Sequence, residues 1–108
     1  MPRSTDLVPG TLDLLILRSL ALEPMHGFGV AQRIEQISRG VFRVNPGSLL
    51  LAFQRMERAG LIEPEWRTSE SNRRAKYYSI TRAGRKELKL ETDDWMARAA
   101  AIARLLEA

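Results

Sequence analysis

The feature that most constrains this chain is a helix signal that runs directly into a basic hairpin signal. The segment Leu61-Ile62-Glu63-Pro64-Glu65-Trp66-Arg67 is strand-like, and so is Tyr77-Tyr78-Ser79-Ile80 after the cations Arg73, Arg74 and Lys76. Between them Thr68-Ser69-Glu70-Ser71 is a polar loop, so the stretch predicts a small hairpin with basic residues near its tip. The helix before it closes Arg55-Met56-Glu57-Arg58-Ala59, and Gly60 is a natural stop. On its own a charged loop is more often a solvated turn. A helix followed by a basic hairpin, however, is the layout of a winged helix. There the helix enters a groove of duplex DNA and the hairpin lies along the phosphates.

Charge points the same way. The formal balance is +4, and it is unevenly placed. From Arg55 to Lys86 nine Lys/Arg face four acids, so the remainder of the chain is slightly acidic. A local basic patch suits a polyanionic partner; a protein that is merely basic in one half has the same balance. Other chemistries are poorly served. With no cysteine, disulfides, thiolate catalysis and Cys-based metal sites are excluded. His26 is the lone histidine and cannot hold a metal alone; a structural or capping role is favoured over sensing. Gly27 and Gly29 lack the third glycine of a dinucleotide fingerprint, Gln32 standing in its place. No nucleophile–base pattern stands out, and Asp93-Asp94 fall on an exposed helix face. The expectation is a protein that is not an enzyme and has no catalytic residues, no metal and no cofactor. No apolar run approaches a membrane span, and Met1-Pro2-Arg3-Ser4-Thr5-Asp6 does not open a signal peptide. A cytoplasmic protein without membrane association is expected.

Four helices are predicted around the hairpin. Pro9-Gly10-Thr11 marks a turn and an N-cap for a first helix from about Leu12 to Leu22, ended by Glu23-Pro24. That helix is apolar almost all round and should be buried on more than one side, one of them against a second subunit. A second helix opens at Met25-His26-Gly27 and runs to about Ser38, with Val30, Ile34 and Ile37 inward; Arg39-Gly40 stops it. Asn45 caps a third, with Pro46 in the first turn, to about Ala59. Leu49, Ala52, Phe53 and Met56 share its core face. Ser48, Leu50, Leu51, Gln54, Arg55 and Arg58 fall outside that face, where Gln and Arg can reach base edges or phosphates. Thr81 caps the last helix, from about Arg82 to Leu106. Leu88, Thr92, Trp95, Ala99, Ile102 and Leu106 fall at alternating a and d positions of a heptad, a stripe suited to a partner chain. Trp95 is either a dimer anchor or a stacking surface for a ligand.

With the helices placed, the sequence resembles the PadR family of winged-helix transcriptional regulators. Gly10-Thr11-Leu12-Asp13-Leu14-Leu15-Ile16-Leu17 looks like the family's first helix, and His26-Gly27-Phe28-Gly29-Val30 like its His-Gly-Tyr-Gly-Ile block. Gly47-Ser48-Leu49 and Arg55-Met56-Glu57-Arg58-Ala59-Gly60-Leu61-Ile62 bracket its recognition helix. Arg74-Ala75-Lys76-Tyr77-Tyr78-Ser79-Ile80-Thr81-Arg82-Ala83-Gly84 looks like its wing strand and exit turn. A single helix after the wing makes the chain similar to the family's short-tailed branch. The departure is at Leu50 and Leu51, where the family usually carries tyrosine and then often proline. That tyrosine commonly helps to hold DNA, and leucine has no hydrogen bond to offer a phosphate; what leucine offers instead is apolar contact of the kind a thymine methyl accepts.

These readings predict a mainly α chain with a small β-hairpin: a winged helix-turn-helix domain over residues 1–81 and a long dimerisation helix over 82–108. Two copies would hold double-stranded DNA through Ser48, Leu50, Leu51, Gln54, Arg55, Arg58, Arg73, Arg74, Lys76 and Tyr77, with half-sites about one helical turn apart. Their shared interface would use Leu12, Leu15, Ile16, Leu88, Trp95, Ala99, Ile102 and Leu106. The resemblance implies repression of a nearby gene, released by a ligand or a partner. A planar aromatic molecule between Leu15, Trp95, Met96 and Ala99 is one such ligand. The competing expectation is an interaction module whose third helix, with Leu50 and Leu51 outward, docks protein instead of specific DNA.

Overall fold

A computed structural model describes residues 10–68 and 70–108. The turn expected at Pro9 and the hairpin residue Ser69 lie outside the described residues. Helix α1 spans Thr11–Leu22, strand β1 Met25–His26, α2 Gly27–Ile37 and α3 Pro46–Arg58; β2 spans Ile62–Thr68, β3 Arg74–Ile80 and α4 Arg82–Glu107.

Local chemistry sets most of these boundaries. Asn45 Oδ1 accepts hydrogen bonds from the backbone N–H groups of Gly47 (2.8 Å) and Ser48 (3.1 Å), satisfying two of the free donors at the start of α3. Gly60, at φ 76°, turns the chain out of α3 in the left-handed region that favours glycine. Thr81 joins two elements. Its hydroxyl accepts from Gly84 N–H at the start of α4 and donates to the carbonyl of Gly60 at 2.6 Å. The start of α1 differs from expectation: Thr11 is already helical, and Gly10 is the N-cap, without a side-chain bond.

The strands form one antiparallel sheet in the order β1-β3-β2. Ile62 pairs with Ile80 at the base of the hairpin, and Trp66 pairs with Lys76 further out. Strand β1 is a correction. Met25-His26 reads as the opening of a helix, yet it lies against Tyr78 and Tyr77, and α2 begins only at Gly27. His26 does act as a cap: its Nδ1 accepts from Gly29 N–H at 3.0 Å.

One core joins α1, α2, α3 and the base of the hairpin through Ile16, Leu17, Leu20, Val30, Ile34, Leu49, Ala52, Phe53, Met56, Ile62 and Tyr78. Ile37, expected inward, is exposed. Ile16, expected at a subunit interface, has no exposed surface and belongs to the chain's own core. Helix α4 is 26 residues long, about 39 Å at 1.5 Å per residue. It runs back along α1, with Leu106 near Thr11 and Trp95 near Leu15 and Arg18. Its first turn is wedged into the head. A Cβ on Gly84 would sit 2.1 Å from the carbonyl oxygen of Leu61.

Candidate nucleic-acid interface

Helix α3 buries Leu49, Ala52, Phe53 and Met56. At 3.6 residues per turn the opposite face carries Leu51, Gln54 and Arg58, all exposed. Leu50 stands beside them toward the hairpin. The two leucines are 55% and 66% exposed, so the described residues leave more than half of each uncovered. Ser48 lies exposed in the first turn.

Arg55 departs from the sequence reading. Its guanidinium makes a two-pronged pair with Asp13 of α1, Nη1 to Oδ2 at 2.5 Å and Nη2 to Oδ1 at 2.9 Å. The hydrogen bond to Asp13 raises its pKa, with a smaller electrostatic contribution from Glu91. Such planar, charge-assisted pairs are among the stronger polar contacts. Arg55 therefore ties α3 to α1 and stands on the flank of α3, off its outermost face. Asp13 is not legible as its partner, being 42 positions away; the available signal is that it is the one acid in a largely apolar helix. Glu91 of α4 completes the cluster. One of its oxygens is buried without a hydrogen-bond partner. Burial first, then the neighbouring Glu87 and Asp13, raises its pKa, while Arg55 opposes the shift.

The hairpin presents two faces, because successive strand side chains alternate. Tyr78 stacks on Phe53 of α3, with ring centroids 4.6 Å apart. Lys76, on the same face, pairs with Glu57 of α3 at 3.3 Å and lies over the Tyr78 ring. The bond to Glu57 is the main cause of its raised pKa, with Tyr78 second. Trp66 is directly across from Lys76, and the Arg74 guanidinium lies over its indole, 5.0 Å from the ring centroid. This face continues the exposed side of α3. Tyr77 does not belong to it. It packs edge-on against His26 and under Arg67, on the opposite face of the hairpin. The expectation that Tyr77 joins Arg74 and Lys76 in one contact surface is thus corrected by strand alternation. Trp66, which the sequence reading left out of the site, is brought in by the same register. Arg73 precedes β3, exposed, near the hairpin tip. It lines a cleft of about 570 Å³ with Phe28, Gln32, Glu70 and Lys76.

A second surface is apolar. Trp95, Ile102 and Leu106 of α4 are exposed, while Leu88, Thr92 and Ala99 are half-buried. Leu12, Leu15 and Leu88 pack on the chain's own core. Trp95 divides two shallow grooves. One, of about 240 Å³, is lined by Leu14, Leu15, Arg18, Thr92 and Met96. The other, of about 460 Å³, is lined by Ala99, Ile102, Ala103 and Leu106 among others. Leu15 and Met96 thus share a groove with Trp95, and Ala99 falls on its other side. Among the described residues no group of three or more potential metal ligands occurs, and no helix is long and apolar enough to cross a membrane.

Residues 16–90 match the pattern of the Transcriptional regulator PadR-like family. Among solved structures, a transcriptional regulator from Clostridium thermocellum superposes with a TM-score of 0.82 at 26% identity, over 93% of this chain and 97% of that one. A PadR family transcription regulator from Clostridium difficile gives 0.77 at 27% identity, over 90% and 99%. An uncharacterized protein of Lysinibacillus sphaericus is 29% identical over 84% of each chain.

Proposed function

The chain belongs to the Transcriptional regulator PadR-like family, and from that premise we propose that it is a homodimeric repressor of duplex DNA. The observation that carries this reading is one continuous surface: the exposed side of α3, with Gln54 and Arg58, runs into the hairpin face bearing Lys76 and Arg74. The cations supply sequence-independent grip on phosphates, and Gln54 with Arg58 supplies hydrogen-bonding groups for base edges. Leu50 and Leu51 add apolar contact of the kind thymine methyls accept.

The second copy joins through α4 and α1. The exposed stripe Trp95, Ile102 and Leu106 supports this, since an apolar surface of that kind on a soluble chain marks an interaction site. An obligate interface would bury roughly 2,000 Å² or more. A planar aromatic ligand between the paired α4 helices, stacked on Trp95 and released or bound to switch the repressor, is the finer part of the proposal. The two grooves flanking Trp95 support it.

The exposure of Leu50 and Leu51 favours a second reading, a protein-docking module. A mobility shift on duplex from the gene's own promoter separates the two across a salt series. The repressor reading expects binding at about 50 mM salt that weakens steeply as salt rises. Absent binding at that salt leaves the docking reading.

A further inference from the structure

We propose that Trp66 is a positioning residue for DNA binding: it holds the guanidinium of Arg74 over its indole, so that the hairpin offers a preset cation to a phosphate. The inference rests on the DNA-binding reading above and adds a residue that neither the sequence nor the family match assigns.

Three observations converge on Trp66. The indole is 56% exposed, in a hairpin whose Ile62 and Tyr78 are buried and whose Tyr77 and Ile80 are half-buried. Strands β2 and β3 meet here in a two-stranded ribbon, since β1 reaches only Tyr77 and Tyr78, so no third strand or core layer needs the indole for packing. Its neighbours are cations. Lys76 is directly opposite, and Arg74, opposite Thr68, is the diagonal neighbour on the same face. Diagonal pairs are within reach of aromatic and long side chains. The 5.0 Å separation of Arg74 Cζ from the ring centroid is within the range of a cation–π contact.

The chemistry of the contact defines what it does. A ring contact engages the charge of the guanidinium, which has five N–H donors and so keeps donors for phosphate oxygens. An unbraced arginine loses rotamer freedom when it binds; a braced one has already lost part of it. The neighbouring cations have other commitments, Lys76 to Glu57 and Arg67 to Glu65. All three cations lie over rings, but among the described residues Arg74 makes no ion pair, so approach of a phosphate breaks none of the kind that holds Lys76 and Arg67. Trp66 therefore acts on affinity through Arg74 and adds no charge of its own.

The test is a double-mutant cycle on binding to one duplex, read across a salt series. Trp66→Ala should weaken binding about two- to five-fold, the scale of an exposed cation–π contact, with the salt slope unchanged because no charge is lost. Arg74→Ala should flatten the slope by about 0.9. The double variant should bind no more weakly than Arg74→Ala alone, and Trp66→Phe, which keeps a ring, should recover part of the loss. Additive losses, or a Trp66→Ala affinity equal to that of the unaltered chain while Arg74→Ala still flattens the slope, would overturn the proposal and leave the DNA-binding reading standing. Absence of salt-dependent binding by the unaltered chain would overturn both.

Discussion

The head of the molecule and its last helix are built on opposite terms. From α1 to β3 the chain buries eleven hydrophobic side chains in one core, and leaves Leu22, Phe28, Ile37, Leu50, Leu51 and Trp66 exposed at separate places around it. Helix α4 buries a single residue, Gly84, and leaves Trp95, Met96, Ile102, Leu105 and Leu106 in the open. The head has a core of its own; the helix has none. That difference suits the two surfaces to different partners, as proposed above. A charged surface on a self-sufficient head can meet a hydrated polyanion without cost to its own core. An apolar stripe on a long helix gains most by leaving water against another apolar stripe.

The strongest way to break this division is to charge the stripe. Trp95→Asp or Ile102→Asp places an ion where the proposed interface excludes water, and its desolvation opposes association. Light scattering should show monomer or aggregate for either variant. A dimer of unchanged mass would mean that the stripe is not the interface.

Next in size is the junction between the two regions. Gly84→Ala forces a methyl into the carbonyl of Leu61 and against Ile80. Overpacking of this kind costs about 3 kcal/mol, which should lower the melting temperature by roughly 10 °C or more. An unchanged melting curve would show that α4 can pivot away from the head without loss.

The polar side of the comparison is sharpened by salt. Arg73→Ala combined with Arg74→Ala should weaken binding to all duplexes alike and flatten the salt slope by about 0.9 per lost contact. Arg55→Gln should leave that slope near its original value, because Asp13 already holds the guanidinium. A slope lowered as much by Arg55→Gln as by a wing substitution would return Arg55 to the DNA surface.

The smallest effect is expected at Glu91. Its folded-state pKa is raised, chiefly by burial. The folded chain thus binds this proton more readily than the unfolded one, and the charged carboxylate opposes folding above that pKa. The penalty is present at neutral pH and is lost as pH falls through the carboxylate range. Glu91→Gln should therefore raise the melting temperature slightly at neutral pH and leave it unchanged in acid. A gain that persists in acid would point to packing rather than charge.

Much of this was legible because it is local. Asn45 and Thr81 cap the helices they were read to cap, and Leu49, Ala52, Phe53 and Met56 face the core at helical spacing. The hairpin was legible from its β-prone runs and polar turn. What escaped depends on where distant segments meet. Two residues, Met25 and His26, are too few to carry a period, and become a strand only when β3 lies beside them. Tyr77 was grouped with Lys76 and Arg74 because the three are neighbours in sequence, but pairing register puts it on the other face. Arg55 reads as a free cation until α1 brings Asp13 to it. Ile16 was assigned to a subunit interface because the whole of α1 is apolar, and apolarity does not say which side meets its own core.

The most direct test of the whole account is the mass of the complex with a promoter duplex, measured by light scattering at low salt. The account predicts the duplex plus two chains of 12.3 kDa each, with α4 joining them and both heads on the DNA. A complex of the duplex with a single chain, or a duplex whose mass does not change, would contradict it.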